Sequence, residues 1–182
     1  FDRAGLDGFP SEPNAAENAA LAAALVGYSK RTSPDDFASL TDFLAQHPKS
    51  VWRAALLTCL GLEYYNTAHY SKTFEAWREA WKLSRNATDA KGKAIADRAA
   101  GELAYMYGRL GMMTELEALL KSVEGRGFIG SATEQIGGAR EGLWNMQNRP
   151  EISFRCGPMA LQRILLSDQR LLTSSPTNAM MD

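Results

Sequence analysis

The chain has 182 residues, enough to bury a real hydrophobic core, and 45% hydrophobic with 23% charged residues is the composition of an ordinary globular protein. A formal net charge of −1 produces no field that would favour nucleic acid or an anionic membrane as a partner. No apolar run reaches the roughly 18 residues that a membrane-spanning helix needs. The Ala-rich run at 15–26 lacks the basic start and the cleavage site of a signal peptide.

The chain starts at Phe1, so we expect it to be a processed, excised or engineered piece of a longer polypeptide. Its two cysteines, Cys59 and Cys156, provide no disulfide framework and leave the cellular compartment undecided. Cys59 lies between apolar residues on a predicted helix, which indicates a small buried side chain.

Residues 1–13 combine Gly, Pro and charges with a few apolar residues and are predicted to form an extended arm. A helix then runs from an N-cap at Asn14 to about Lys30. The run Ser33–Asp36 predicts the start of a second helix, because it offers a capping hydroxyl, a proline and two carboxylates. The buried face of this helix is predicted to contain Phe37, Leu40, Phe43 and Leu44, and His47-Pro48 ends it.

The run 51–84 reads as two amphipathic helices joined by a tight turn at 66–69. One stripe of the first helix and one stripe of the second are apolar at helical spacing. Neither helix can bury its stripe alone, so the pair is expected to stack on further pairs. The stripe residues are Leu57, Leu60, Gly61 and Tyr64 on the first helix, and Phe74, Trp77 and Trp81 on the second.

A second copy of this hairpin follows at a constant offset of 43 residues. Thr114–Glu117 is predicted to be a capping box that opens its second helix, and Ser131–Glu134 is predicted to be another, which starts a helix toward Gln147. Gly137, Gly138 and Gly142 weaken that last helix, and close packing against a neighbour is the expected reason. Its inner face is predicted to contain Ile136, Ala139, Leu143 and Trp144.

The spacing within each copy resembles a tetratricopeptide repeat, a helix–turn–helix unit of about 34 residues. The resemblance implies an all-α fold, a right-handed α-solenoid of stacked helical hairpins, over residues 14–148. The first hairpin lacks the Leu-Gly-Tyr signature and is expected to cap the array. The matching slots are Leu57, Leu60-Gly61, Tyr64, Ala68, Tyr70, Trp77 and Ala80 in one copy, with Leu103-Ala104, Tyr107, Gly111, Leu120 and Val123 in the other.

The tetratricopeptide resemblance also implies a concave groove lined by the first helix of each hairpin. Such a trough of aromatic and cationic side chains suits an extended acidic peptide or another domain, including a part of the parent polypeptide. The implied partner-binding residues are Thr58, Leu62, Tyr65, Asn66, Arg98, Tyr105 and Arg109.

Residues 149–182 are expected to be C-terminal helices or the start of a second, incomplete domain. Ile152–Phe154 is predicted to be extended, Cys156 opens a helix, and Ser175-Pro176 starts a further one. The segment Phe154–Leu161 resembles the nucleophile region of papain-fold cysteine peptidases that process double-glycine leader peptides. On that resemblance Cys156 is the nucleophile, and a helix N-terminus favours its thiolate.

A cysteine peptidase also needs a His base, and no His follows Cys156. The two that exist, His69 and His47, read as a turn residue and a residue at a helix C-terminus. No set of residues has the spacing of a metal site or of a phosphate loop, so neither metal nor cofactor is expected. Trp52, Trp77, Trp81 and Trp144 are interpreted as core residues.

Three functional hypotheses follow. The first is a non-enzymatic module or scaffold that docks a protein or a peptide in a helical-repeat groove. The second is the N-terminal part of a cysteine peptidase whose remaining site residues are missing. The third is a structural piece of a large assembly, since helical repeats followed by a Cys-Gly-Pro segment are similar to the leading region of some bacterial Rhs-type (YD-repeat) surface or toxin proteins. That resemblance implies a secreted or cell-surface location.

Overall fold

The computed structural model describes residues 15–167, except for the side chains of Cys156, Leu166 and Ser167. The arm predicted at residues 1–13 and the helix predicted after Ser175 lie outside these residues. Helices account for 76% of the described residues, and no strand occurs among them, which confirms the all-α prediction. The helices of this part of the chain are α1 (Ala15–Ser29), α2 (Ala38–Gln46), α3 (Arg53–Asn66), α4 (Tyr70–Ser84), α5 (Ala90–Arg109), α6 (Met113–Ser122), α7 (Ser131–Asn148), α8 (Pro150–Ser153) and α9 (Cys156–Ser167).

The chain divides into two compact units, and the division falls within α5. The first unit contains the residues up to Leu103 together with Gly127–Thr133. The second contains Ala104–Arg126 and the residues from Glu134 onward. Each unit is described separately below.

The first unit is built around the α3–α4 hairpin. Trp77 is 1% exposed, and its indole Nε1 donates a hydrogen bond of 3.0 Å to the backbone oxygen of Thr58. A Cβ atom at Gly61 would overlap the indole of Trp77, so only glycine lets α4 approach α3 this closely. Gly61 of the first predicted stripe and Trp77 of the second therefore meet at this crossing.

The core of the first unit extends from this hairpin to its neighbours. α1 packs on α2 and α2 packs on α3, and Ala99 of α5 belongs to the same cluster. At the edge of α1 the hydroxyl of Ser50 donates to the carboxylate of Glu17, and both residues are buried. The cluster consists of Phe37, Leu40, Phe43, Leu44, Leu56, Leu57, Leu60, Tyr64, Ala76, Ala80 and Ala99.

The second unit buries the inner faces of α6 and α7 and the last turns of α5. Ile136, Ala139 and Leu143 are buried, as predicted for the inner face of α7, but Trp144 is 55% exposed. The predicted core tryptophans therefore differ: Trp77 is buried and Trp81 half-buried, while Trp52 and Trp144 are exposed. The other buried residues of the unit include Ala104, Met106, Tyr107, Leu116, Leu119, Leu120, Val123 and Met146.

The turns of the two hairpin copies have the same backbone structure at the predicted offset. Ala68 and Gly111 both have positive φ, 61° and 66°. Each is the left-handed residue of a Schellman motif that ends the preceding helix. The two defining bonds run from Ala68 N to Tyr65 O (3.1 Å) and from His69 N to Tyr64 O (2.8 Å) in one turn, and from Gly111 N to Gly108 O (3.3 Å) and from Met112 N to Tyr107 O (2.9 Å) in the other.

Two helix starts differ from the predictions. α2 begins at Ala38, because Ser33–Asp36 folds into a turn and the carboxylate of Asp36 accepts a 3.1 Å hydrogen bond from Ala38 N. α6 begins at Met113, since the turn after α5 already places Met112 at the N-cap position, where no side chain caps the helix. Thr114 then lies inside the first turn, and the predicted capping box at 114–117 does not open the helix.

Three further predictions were wrong. The segment from Pro150 to Ser153 is a helical turn rather than extended chain, as proline at the first helical position favours. A Cβ at Gly137, Gly138 or Gly142 would meet nothing within 4 Å, so close packing does not explain these glycines. Cys59 is exposed, because it lies about 100° around α3 from Leu60 and off the buried stripe.

Candidate functional site

Two of the predicted groove residues, Tyr105 and Arg109, form a contact one helical turn apart on α5. Arg109 Nη1 donates a hydrogen bond of 3.0 Å to the hydroxyl of Tyr105, and the guanidinium carbon lies 5.4 Å from the centre of the Tyr105 ring. Both residues are exposed, Tyr105 by 42%. The pair is thus an aromatic and cationic element held in a defined orientation at the surface of the second unit.

Tyr105 and Arg109 line a cavity of about 480 Å³ between the end of α5 and α7. Its floor consists of residues with a methyl side chain or none, among them Ala104, Gly108, Gly138 and Gly142, while Glu134 and Gln135 add polar atoms. Gly138 and Gly142 of α7 therefore have a consequence that the sequence did not indicate: their missing side chains leave the cavity open.

A second cavity, of about 490 Å³, shares Gly108, Arg109 and Gly142 with the first and so adjoins it. It continues to Ile152 and Phe154, each 45% exposed. We call the two adjoining cavities the Arg109 trough. The trough lies wholly within the second unit, and Arg109 is at the junction of its two halves.

Gln135 contributes an unusual atom to the first half of the trough. Its Oε1 is shielded from solvent and has no hydrogen-bond partner in the described part of the chain. A buried acceptor without a donor is costly, by about 1–3 kcal/mol. Because this oxygen is closed to solvent, it is a local cost in the free energy of folding and is not an atom that a ligand in the trough reaches.

The predicted groove residues of the first unit have varied surroundings. Thr58 is 3% exposed and its hydroxyl donates to Ala54 O, so its side chain is not accessible to a partner. Tyr65 is half-buried, with its ring centre 6.4 Å from that of Trp77. Leu62 is also half-buried, while Asn66 and Arg98 are exposed.

Sequence reasoning did not identify Gln135, Ile152 or Phe154 as residues of the trough, because α7 and the segment after it carry no repeat signature.

A polar cluster joins α1 to α3 in the first unit. The hydroxyl of Tyr28 donates to Glu63 Oε2 at 2.8 Å, and the guanidinium carbon of Arg31 lies 3.8 Å from the centre of the Tyr28 ring. Burial and the neighbouring Glu63 carboxylate raise the pKa of Tyr28 from 10.0 to about 12. The cluster therefore holds the phenol in its neutral form.

The residues considered for catalysis or metal binding are distributed as follows. Cys156 is the first residue of α9, as predicted, but its side chain lies outside the described atoms. In the first unit the His47 ring stacks on Phe43, and His69 Nδ1 lies 3.0 Å from the Thr67 hydroxyl. Among the described residues, no group of three or more His, Cys, Asp or Glu has the arrangement of a metal site. None of the helices from α1 to α9 combines the length and hydropathy of a membrane span.

Comparison with known proteins found no matching family model, no matching curated protein and no matching solved structure.

Proposed function

We propose that the chain is a helical-repeat module, a right-handed solenoid of tetratricopeptide type, that binds a protein or peptide partner through the exposed faces of its first helices. The partner is another protein or a segment of the parent polypeptide. The first helices of two consecutive hairpins, α3 and α5, end in the same Schellman turn, and this supports a repeated architecture. On this proposal the chain is a scaffold and has no catalytic role of its own.

One observation supports partner binding most directly: the Tyr105–Arg109 pair lies at the edge of the Arg109 trough. Aromatic and arginine side chains are the usual anchors of protein interfaces, because they combine apolar area with directed hydrogen bonds. A trough with an apolar floor and few polar atoms has the general character of a ligand site. Clefts of roughly 300–1,000 Å³ are typical of such sites, and the first cavity, at about 480 Å³, falls in that range.

The test is a selection from a random 12-residue peptide library displayed on phage, followed by fluorescence anisotropy of the selected peptides. We expect specific peptides whose affinity falls at least about tenfold in Tyr105→Ala. Tyr70→Ala is the matched control, since Tyr70 is also exposed but lies in the first unit. A selection that yields no specific binder would overturn the proposal.

A second candidate function is the peptidase-like one, supported by the start of α9 at Cys156. A thiol at the first turn of a helix is expected to ionise below the usual value of about 8.5. The rate of alkylation by iodoacetamide against pH measures this, in a Cys59→Ser variant because Cys59 is exposed and would react as well. A midpoint at or above about 8.5 would remove this candidate.

A further inference from the structure

The shape of the Arg109 trough favours an extended chain as its occupant. Its two halves meet at Gly108, Arg109 and Gly142, so the opening runs from Gln135 on α7 to Phe154 beyond α8. A Cβ at Gly142 would meet no atom within 4 Å, and at Gly108 only a methyl of Leu116 at 3.9 Å. The backbone of a ligand can therefore come close to the floor at the junction.

The polar groups along the trough differ from one position to the next. At one end the carboxylate of Glu134, an exposed residue, is an acceptor. At the junction lies the exposed Arg109, which donates one N–H group to Tyr105, and the five N–H groups of a guanidinium suit a carboxylate. At the other end Ile152 and Phe154 present half-exposed apolar side chains. A complementary ligand therefore carries, in this order, an N–H donor, an acidic group and an apolar group.

We propose that the Arg109 trough binds an extended peptide in one register: an N–H donor at Glu134, an acidic side chain at Arg109, and an apolar side chain against Ile152 and Phe154. This inference rests on the proposed function and specifies the partner as a short acidic segment followed by an apolar anchor. The acidic side chain fixes the register, because the charge-assisted hydrogen bond to Arg109 lies at the junction of the two halves.

The sharpest test is a change of specificity. Against the unaltered chain, a random 12-residue library displayed on phage is expected to enrich peptides with Asp or Glu a few residues from an apolar residue. Against Arg109→Glu, the same library is expected to enrich Lys or Arg at the acidic position, since like charges there are unfavourable. Enrichment of the same peptides by both proteins would overturn the register.

A pair of glycine substitutions tests the location without weakening the fold. Gly142→Leu fills the junction of the trough, and its side chain meets open space, so we expect loss of peptide affinity by at least about tenfold. Gly137→Leu adds the same side chain to the same helix at a position that lines neither cavity, and the affinity should stay within about twofold. Circular dichroism checks that both variants keep their helices.

The outcomes separate this inference from the proposed function. Peptides that bind with unchanged affinity to Gly142→Leu and to Arg109→Glu would leave the proposed function standing and overturn the trough as the site. Absence of any specific peptide would overturn both. Equal loss in Gly142→Leu and Gly137→Leu would also overturn the inference, because the effect would then not depend on filling the trough.

Discussion

At the residue scale, Gly61 and the glycines of α7 illustrate two different consequences of a missing side chain. A Cβ at Gly61 would overlap the ring of Trp77, which is fixed by burial and by its hydrogen bond to Thr58 O. A Cβ at Gly137 would meet nothing within 4 Å. The first glycine allows two helices to touch, whereas the second only lowers the helix propensity of α7.

Gly61→Ala is therefore expected to destabilise the protein by about 1–3 kcal/mol, the usual cost of overpacking a core. Gly137→Ala is expected to stabilise it by roughly 0.5–1 kcal/mol, because alanine is the better helix former and no neighbour is displaced. Urea unfolding followed by far-UV circular dichroism measures both. Equal stability of Gly61→Ala and the unaltered chain would contradict the close α3–α4 contact.

Tyr28 makes a pH-dependent contribution to stability. Its pKa is about 12 in the folded chain, against the ordinary tyrosine value of 10.0, which applies to the unfolded chain. The phenol is therefore neutral in both states below about pH 10, and its contribution is then complete. As the pH rises from about 10 through 12, the unfolded chain loses the phenol proton first, and the contribution is lost.

Tyr28→Phe is accordingly expected to reduce the fall in unfolding free energy above about pH 10. Burial also raises the pKa of Tyr64, so the variant removes only part of the dependence. Stability is measured by urea unfolding at a series of pH values, with Tyr70→Phe, an exposed tyrosine, as the control. An identical pH profile for Tyr28→Phe and the unaltered chain would disprove the role of the half-buried phenol.

At the scale of the elements, the turns after α3 and α5 were the features that the sequence located best. The offset of 43 residues aligned Ala68 of one copy with Gly111 of the other, and the structure gives these two residues the same left-handed conformation. The starts of α2 and α6 were misplaced for a physical reason. Side chains such as Ser33 and Thr114 match the chemistry of a cap, but the turn of the backbone determines which residue occupies the cap position.

The turns after α3 and α5 can be tested by exchanging alanine and glycine at their left-handed positions, Ala68 and Gly111. Alanine in the left-handed conformation is strained by roughly 1–2 kcal/mol, and glycine is not. Ala68→Gly is expected to stabilise the protein by up to about 1 kcal/mol, after the entropy of glycine in the unfolded chain is subtracted. Gly111→Ala should destabilise it, more so because its Cβ would lie 3.2 Å from Phe154 Cε1. Thermal unfolding of both variants measures this, and stabilisation by Gly111→Ala would refute the turn geometry.

At the scale of the whole molecule, the sequence predicted the class of fold better than the site. Apolar periodicity identifies a helix and its buried face, and Leu60 and Tyr64 of the first stripe and Trp77 of the second are buried as predicted. Periodicity does not tell which non-adjacent side chains meet. Tyr105 and Arg109 were predicted from the repeat, but Gln135 and Phe154 join them only through the packing of α7 and α8.

The distribution of buried residues predicts a gradient of local stability along the chain. α3 has a buried residue at almost every turn, from Leu56 to Tyr64, whereas no described side chain of α9 is buried, and Met159 and Ile164 are 54% and 62% exposed. Helices with few buried contacts open more readily, so their amides exchange faster.

Hydrogen–deuterium exchange followed by mass spectrometry should therefore show amides of α3 protected on the order of 100-fold or more above those of α9. Association of two molecules through the apolar side chains of α9 would hide the difference, so the measurement is repeated at tenfold lower protein concentration as a control. Equal protection of α3 and α9 at both concentrations would mean that α9 belongs to a cooperative core. That result would contradict the burial pattern on which the gradient rests, because exposed helical turns cannot resist opening as strongly as turns packed around Trp77.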